Sequence, residues 1–157
     1  MSISSEEFRS ALSRFASGIT VVTTRNENGK FASLTVSAFC SVSLEPPMVL
    51  VCIEKSAAAN AAISASGIFA VNFLSDKQQE LSDHFASSIE DRLRGNDYSI
   101  GELGLPLLSN CICNLECQLK HEYDGGDHTI FVGQVESSTF TDGDPLVYFR
   151  SGYRILQ

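Results

Sequence analysis

Glu54, Lys55 and Ser56 have the types and the spacing of a phosphate-binding site. They follow a short apolar run that ends at Ile53 and precede an alanine-rich segment that predicts a helix. The free amides and the dipole of a helix N-terminus attract a phosphate, and Lys55 adds a positive charge. Asn60 lies one helical turn beyond Ser56 and can point the same way. We therefore predict a phosphate cradle here, with which ordinary N-capping by Ser56 is compatible.

A second segment, residues 33–43, is rich in small hydroxyl side chains. Hydroxyls and backbone amides there can hydrogen-bond a flat heterocycle that carries carbonyl groups, while Val36, Ala38 and Phe39 supply apolar contact. The alternative is an edge strand whose polar residues face water. The hydroxyl residues of this segment are Thr35, Ser37, Ser41 and Ser43.

Cys111, Cys113 and Cys117 invite interpretation as metal ligands, but their spacing favours a core strand. On a strand that rises about 3.3 Å per residue, positions four apart are about 13 Å apart, too far for bonds of about 2.3 Å to one zinc ion. We expect these thiols, and also Cys40 and Cys52, to be packing residues. The five cysteines are odd in number and follow no signal region, which predicts a reducing, cytoplasmic location.

Composition and charge exclude several partners. The 157 residues are 43% hydrophobic and 19% charged, which predicts one globular domain over residues 1–157. The net charge of -8 argues against nucleic acid and anionic membranes, and no apolar run reaches the roughly 20 residues of a membrane helix. The chain has neither a Gly-x-Gly-x-x-Gly turn nor a Walker loop, so a nicotinamide would have to bind outside a Rossmann fold.

Three helices and seven strands are predicted to position these residues. Ser4 caps a first helix whose apolar face we expect to pack on another surface, Gly67 ends the helix of residues 57–65, and a capping box of Ser75 and Gln78 opens a third. Residues 87–105 have no period and predict a long surface loop. The predicted strands are residues 19–24, 31–37, 48–53, 68–74, 111–120, 129–140 and 146–149. Antiparallel strands of this number, joined mostly by tight turns, favour a closed or nearly closed barrel.

Several motifs, in this order and spacing, resemble the short-chain flavin reductases. The strongest is the segment 34–47, in which Thr35-x-Ser37 leads to Ser41-x-Ser43 and Pro46-Pro47; it is accompanied by residues 15–23, 69–74, 85–86, 105–106, 126–128 and 145–149. The resemblance implies a mainly β fold with short helices, an antiparallel Greek-key split β-barrel of the FMN-binding type. It also implies a homodimer that holds FMN or FAD near the subunit interface.

The resemblance assigns roles to individual residues. It places His128 beside the nicotinamide and the flavin phosphate near Lys55, Ser56 and Asn60. The residues it places against the flavin ring are Thr35, Val36, Ser37 and Ser41. Many members have an arginine where this chain has His84, so Arg92 is expected to compensate. Phe85 would flank the flavin, although its spacing alone predicts a core residue, and Tyr153 would close the pocket or pack the barrel end. The cofactor-binding set is Thr35, Val36, Ser37, Ala38, Ser41, Cys52, Ile53, Glu54, Lys55, Ser56, Asn60, Phe85, Arg92, His128 and Tyr153.

The function implied is an NAD(P)H-dependent flavin reductase. NADH or NADPH would pass hydride from nicotinamide C4 to flavin N5, and the reduced flavin would diffuse to a partner monooxygenase. The alternatives are a flavin electron-transfer protein with little NAD(P)H activity and a small barrel used only for dimerisation or ligand sensing. The sequence does not choose between FMN and FAD, between NADH and NADPH, or between flavin as prosthetic group and as substrate.

Overall fold

The computed structural model describes residues 2–156, which form three short helices and twelve strands. The helices are α1 (Ser5–Leu12), α2 (Ala58–Ser66) and α3 (Gln79–Ala86). The strands are β1 (Ser17–Gly18), β2 (Thr20–Arg25), β3 (Phe31–Val36), β4 (Phe39–Leu44), β5 (Pro47–Glu54), β6 (Ile68–Phe73), β7 (Tyr98–Ile100), β8 (Pro106–Leu108), β9 (Cys113–Gly125), β10 (His128–Phe140), β11 (Val147–Phe149) and β12 (Gly152–Arg154).

Seven strands form one antiparallel sheet in the order β3-β2-β6-β9-β10-β5-β4. The two edge strands, β3 and β4, are joined by only Ser37 and Ala38. Since consecutive Cα atoms are 3.8 Å apart, this short link requires the two edges of the sheet to meet at one corner. The sheet therefore curls into a barrel that stays split between β3 and β4, which agrees with the split β-barrel that the resemblance implied.

The inner face of this sheet carries the main core. Val49, Val51 and Ile53 alternate inward along β5, where they meet Phe69 of β6 and Phe131 of β10. The period of two places every second residue of a half-buried strand in the core. Cys52 therefore faces away from the core, beside Ile130 of β10. A second core cluster lies between β2 and α3.

The helix ends agree with the sequence in part. Ser4 Oγ accepts the Glu7 N–H at 3.1 Å, and Gly67 ends α2 with a left-handed φ of 70°. The prediction that Ser56 caps α2 is wrong, because Ala57 occupies the cap position and the Ser56 hydroxyl donates instead to Glu54 Oε1. None of the helices within residues 2–156 is long and apolar enough to cross a membrane.

The third helix begins later than the capping box predicted. Gln78 Oε1 accepts the Ser75 N–H at 2.9 Å, but the Gln78 N–H donates to the Ser75 backbone carbonyl rather than to its side chain. Half of the box therefore forms across a turn, and α3 starts at Gln79.

The segment 87–105 is more ordered than a surface loop. It contains β7, which pairs with β8, and its Leu93 and Leu105 are buried. Arg92 fastens it to β3, since Nη1 donates to the Ser33 carbonyl at 2.6 Å and Nε donates to the Ser87 carbonyl at 2.8 Å. Most of the segment has no regular hydrophobic period, because hydrogen bonds of single side chains, rather than a ladder of backbone hydrogen bonds, hold it in place.

Alternation along β9 misplaced one polar residue. The period of two along residues 111–120 predicts Glu116 on the polar face, opposite the cysteines, yet Glu116 is only 2% exposed and accepts the N–H groups of Glu102 and Leu103 at 2.9 and 2.8 Å. The segment that follows β7 covers this face and satisfies the carboxylate. The outward prediction for Glu116 is therefore wrong, because the covering segment is distant in sequence.

The cysteines follow the packing prediction in part, since Cys52 and Cys113 are only half-buried. Cys111 and Cys117 are buried, and burial raises the pKa of each thiol to about 12. Cys40 is exposed on edge strand β4, so its assignment as a packing residue is wrong. An edge strand has no further strand to cover its outward side chains.

Candidate functional site

The sheet ladder brings the predicted binding segments to one end of the barrel. The Cys52 N–H donates to the Ala38 carbonyl at 3.0 Å, which fastens the β3–β4 corner to β5. His128 lies opposite Glu54 in the β10–β5 pairing, and the Lys55 N–H donates to the Asp127 carbonyl at 2.9 Å. The corner, the start of α2 and His128 are therefore neighbours, although up to 90 residues separate them in sequence.

The β3–β4 corner offers polar groups to the surface. Ser37, Ala38 and Ser41 are exposed, whereas the Val36 side chain is buried. The Thr35 hydroxyl donates to the Ser82 carbonyl of α3 at 2.7 Å, so only its oxygen remains to accept another hydrogen bond. Of the predicted ring contacts, the hydroxyls of Ser37 and Ser41 are thus free to meet a ligand, whereas the Ser37 and Ala38 carbonyls already accept N–H groups of the chain.

An apolar cleft of about 210 Å³ opens beside this corner. Phe39 and Phe73 form one wall, with their ring centroids 5.0 Å apart in an edge-to-face pair. Phe15 and Ser37 line the opening. Phe73 had no sequence signal as a site residue, because only the pairing of β6 with β2 brings it beside this cleft.

The predicted phosphate end has donors that no side chain caps. The first turn of α2 receives no side-chain cap bond, and the Asn60 N–H donates to the Ala57 carbonyl at 2.9 Å, so the N–H groups of Ala58 and Ala59 are the ones available to an anion. Asn60 has a structural contact, since Nδ2 donates to the Ile53 carbonyl at 3.0 Å. It also accepts from the Thr129 hydroxyl at 3.4 Å. Asn60 therefore stabilises the turn that carries Lys55. Its contribution to the phosphate end is to position this turn.

Acidic groups surround the cations of this end. The Lys55 ammonium pairs with Asp124 of the β9–β10 hairpin, and His128 Nδ1 lies 2.7 Å from Asp127 Oδ1. The hydrogen bond from Lys55 lowers the pKa of Asp124, and the one with His128 lowers the pKa of Asp127. The sequence showed Asp124 and Asp127 only as turn residues. Their contacts with Lys55 and His128 become visible once the hairpin is placed against β5.

Three residues of the predicted cofactor-binding set are buried or make structural contacts instead of facing the site. Phe85 is 0% exposed in the second core cluster, so the alternative interpretation, a core residue, is the one its position supports. Arg92 is occupied by backbone carbonyls, and its own carbonyl lies 2.8 Å from His84 Nε2. Ile53 is also fully buried, so only its backbone can meet a ligand.

Tyr153 fastens the last strand, β12, to α3. Its hydroxyl oxygen lies 2.7 Å from Asp83 Oδ1 and 2.9 Å from Ser82 Oγ. Burial raises the pKa of Tyr153, and the neighbouring Asp83 raises it further. Because Thr35 also binds Ser82, Tyr153 is connected to the β3–β4 corner through one residue.

A sequence profile described as "Flavin reductase like domain" matches residues 12–157 of this chain. The chain belongs to this family. A relative from Rhizobium meliloti (strain 1021), named "Probable flavin reductase", is 38% identical over 145 residues, covering 92% of this chain and 47% of its own length. The chain thus spans about half the length of that relative.

Two further relatives match over most of their own lengths. The "Flavin-dependent monooxygenase, reductase subunit HsaB" of Rhodococcus jostii (strain RHA1) is 37% identical over 152 residues, which cover 96% of this chain and 77% of that protein. The crystallised NADH:FAD oxidoreductase SgcE6 of Streptomyces globisporus, solved with NAD and FAD fragments, has a TM-score of 0.92 and 33% identity. That match covers 97% of this chain and 92% of the SgcE6 chain. The similarity to SgcE6 in sequence and in fold therefore extends over nearly the whole chain.

Proposed function

We propose that this protein is an NAD(P)H:flavin oxidoreductase that uses FMN or FAD. The observation that carries the proposal is the meeting of three segments at one barrel end: the Ser37–Ala38 corner, the Lys55–Ser56 turn and His128. Family membership and the name of SgcE6, an NADH:FAD oxidoreductase, support the same reaction. The free hydroxyls, the uncapped helix and the apolar cleft fit a ligand with a flat polar ring and a phosphate.

The chain's residues bind and orient the reactants. When bound, flavin accepts at N5 the hydride that nicotinamide C4 donates, so no side chain has to act as acid or base. Ser37 and Ser41 hydrogen-bond the polar edge of the ring, and Phe39 and Phe73 exclude water from one side of the cleft. Lys55 and the first turn of α2 hold the phosphate, while His128, which is 41% exposed in its side chain, positions the nicotinamide.

The direct test is oxidation of NADH and of NADPH in the presence of FMN, FAD or riboflavin. We expect flavin-dependent loss of nicotinamide absorbance with at least one of the two donors. A double variant, Ser37→Ala with Ser41→Ala, should raise the KM for riboflavin, because riboflavin reports the ring contacts without a phosphate. A protein that binds flavin but oxidises neither nicotinamide would instead be an electron-transfer protein, and the proposal would be wrong.

A second copy of the chain is proposed to complete the site. Helix α1 buries no residue against its own chain, and Phe8, Leu12 and Phe15 are 55%, 51% and 78% exposed. Phe15 also lines the opening of the apolar cleft. A partner subunit that covers this helix would therefore also close the cleft, which gives the predicted homodimer a role in excluding water.

Sedimentation equilibrium tests the dimer. We expect twice the 17.0 kDa chain mass, and Phe8→Glu should shift the population toward monomer and lower the flavin turnover. A chain that stays monomeric at all concentrations while keeping full turnover would contradict this proposal. Ile89→Glu, in the 87–105 segment, is the matched surface control, because Ile89 is also an apolar residue, 53% exposed, and the change introduces the same charge.

The reduced flavin is proposed to leave for a monooxygenase component. HsaB is by name the reductase subunit of a flavin-dependent monooxygenase, and the phosphate end of the present site is open, with the Lys55 side chain 47% exposed. The five cysteines are free thiols, which supports the predicted reducing cytoplasm as the location of this exchange. The expected observation is that an added flavin-dependent oxygenase converts its own substrate with the reduced flavin made by this protein, without forming a stable complex with it.

A further inference from the structure

Lys55 is not a free cation at the proposed phosphate end. Its ammonium is paired with Asp124, although 69 residues separate the two in sequence. Their side chains are 47% and 78% exposed, so the pair stands at the surface where a ligand would approach. A phosphate that binds Lys55 must therefore replace this carboxylate or share the ammonium with it.

The backbone fixes the position of this competing carboxylate. The Lys55 N–H donates to the Asp127 carbonyl at 2.9 Å, and Asp124 pairs with Thr129 across the hairpin of β9 and β10. Thr129 in turn lies opposite Ile53 of β5. Asp124 is thus held beside Lys55 by two ladders, so it stays near the site when the side chains rearrange.

The neighbouring charges act in the same direction. Glu54 accepts from the Ser56 hydroxyl, and Asp127 pairs with His128, so the side chains of Lys55, Ser56 and His128 each already have a carboxylate partner. Three carboxylates face one lysine and one histidine here. The negative charges of these carboxylates weaken the binding of a phosphate, while the positive charge of Lys55 strengthens it.

We propose that Asp124 is an affinity-determining residue that competes with the ligand phosphate for Lys55 and so keeps the flavin exchangeable. The inference rests on the proposed function, which places the phosphate at Lys55. It addresses whether flavin behaves as a substrate or as a prosthetic group. A bound flavin that must leave after each turnover gains from a built-in competitor that weakens its phosphate contact without touching its ring.

The test compares FMN with riboflavin, which has the same ring but no phosphate, by equilibrium dialysis of the full chain. In Asp124→Asn the dissociation constant for FMN should fall by roughly two- to fivefold, the range that exposed ion pairs contribute, while that for riboflavin stays unchanged. Asp142→Asn, in the turn after β10, is the matched control because it makes the same charge change away from this end. It should alter neither constant.

Two outcomes overturn the inference. One is an FMN constant in Asp124→Asn that is unchanged or higher, and the other is a riboflavin constant that falls by the same factor. Lys55→Ala separates these from a failure of the proposed function. If it weakens FMN but not riboflavin, the phosphate position holds and only the role of Asp124 is wrong; if FMN is unaffected, the phosphate position itself is wrong.

Discussion

Replacing Gly133 by alanine should destabilise the barrel, because β10 has no space for a methyl group at this position. A Cβ atom there would lie 2.5 Å from Phe69 Cζ, 2.7 Å from Phe69 Cε1 and 2.9 Å from Cys117 Cβ. Both neighbours are 0% exposed, so neither can move into solvent. Overpacking costs about 1–3 kcal/mol, against about 0.5–1 kcal/mol gained from replacing glycine in a strand. The net loss should be about 1–2 kcal/mol.

Urea unfolding followed by far-UV circular dichroism, at one fixed protein concentration, measures this loss. For a chain of this size the loss corresponds to a melting temperature lower by about 2–8 °C. Gly18→Ala is the matched control, since a Cβ atom at Gly18 meets nothing within 4 Å. We expect the control to be as stable as the wild type or more stable by up to about 1 kcal/mol, the gain from replacing a strand glycine.

A second substitution tests the cause. Phe69→Leu removes the ring atoms that the new methyl group would meet, so the double variant should lose less stability than the two single variants together. The coupling should be about 0.5–3 kcal/mol, the range found for residues in contact. Wild-type stability of Gly133→Ala, or strict additivity with Phe69→Leu, would refute the packing argument.

Three further predictions concern the site and the core thiols. Asn60→Ala removes the bond to the Ile53 carbonyl that holds the Lys55 turn, so FMN affinity should fall severalfold in equilibrium dialysis while riboflavin affinity changes little. His128→Ala should raise the KM for NADH in steady-state assays and leave the flavin dissociation constant near the wild-type value. Because burial raises the pKa of Cys117 from 9.0 to about 12, the unfolded thiol ionises first as pH rises through this window, and stability should fall. Cys117→Ala should reduce that alkaline slope, by at most about 1.4 kcal/mol per pH unit, in urea titrations at several pH values.

The local features of the fold could be predicted from the sequence. The Ser4 cap, the left-handed end at Gly67 and the pairing of β2 with β3 each depend on residues close together in the chain. Cap hydrogen bonds, left-handed φ angles and short hairpin loops such as residues 26–30 depend on local energies. Such features form in the same way whichever distant segments pack against them.

Predictions of burial that depended on segments distant in sequence were wrong at two residues. Glu116 follows the alternation of an exposed polar residue, but a segment more than ten residues earlier lies over it and donates two N–H groups. Cysteine is a residue type that usually packs in the core, but Cys40 lies on a strand at the edge of the sheet and is exposed. Whether a residue is buried depends on the segments that pack over it. The periodicity of its own strand carries no information about those segments.

The sequence by itself determined the longer strands, the helix ends at Ser4 and Gly67, and the residue types of the candidate site. Only the tertiary structure decided which of these residues meet: it joined Ala38 to Cys52, set His128 opposite Glu54, and gave Lys55 the partner Asp124. The physical reason is that a residue's type records its chemistry, whereas its partners depend on how the ladders align segments far apart in the chain.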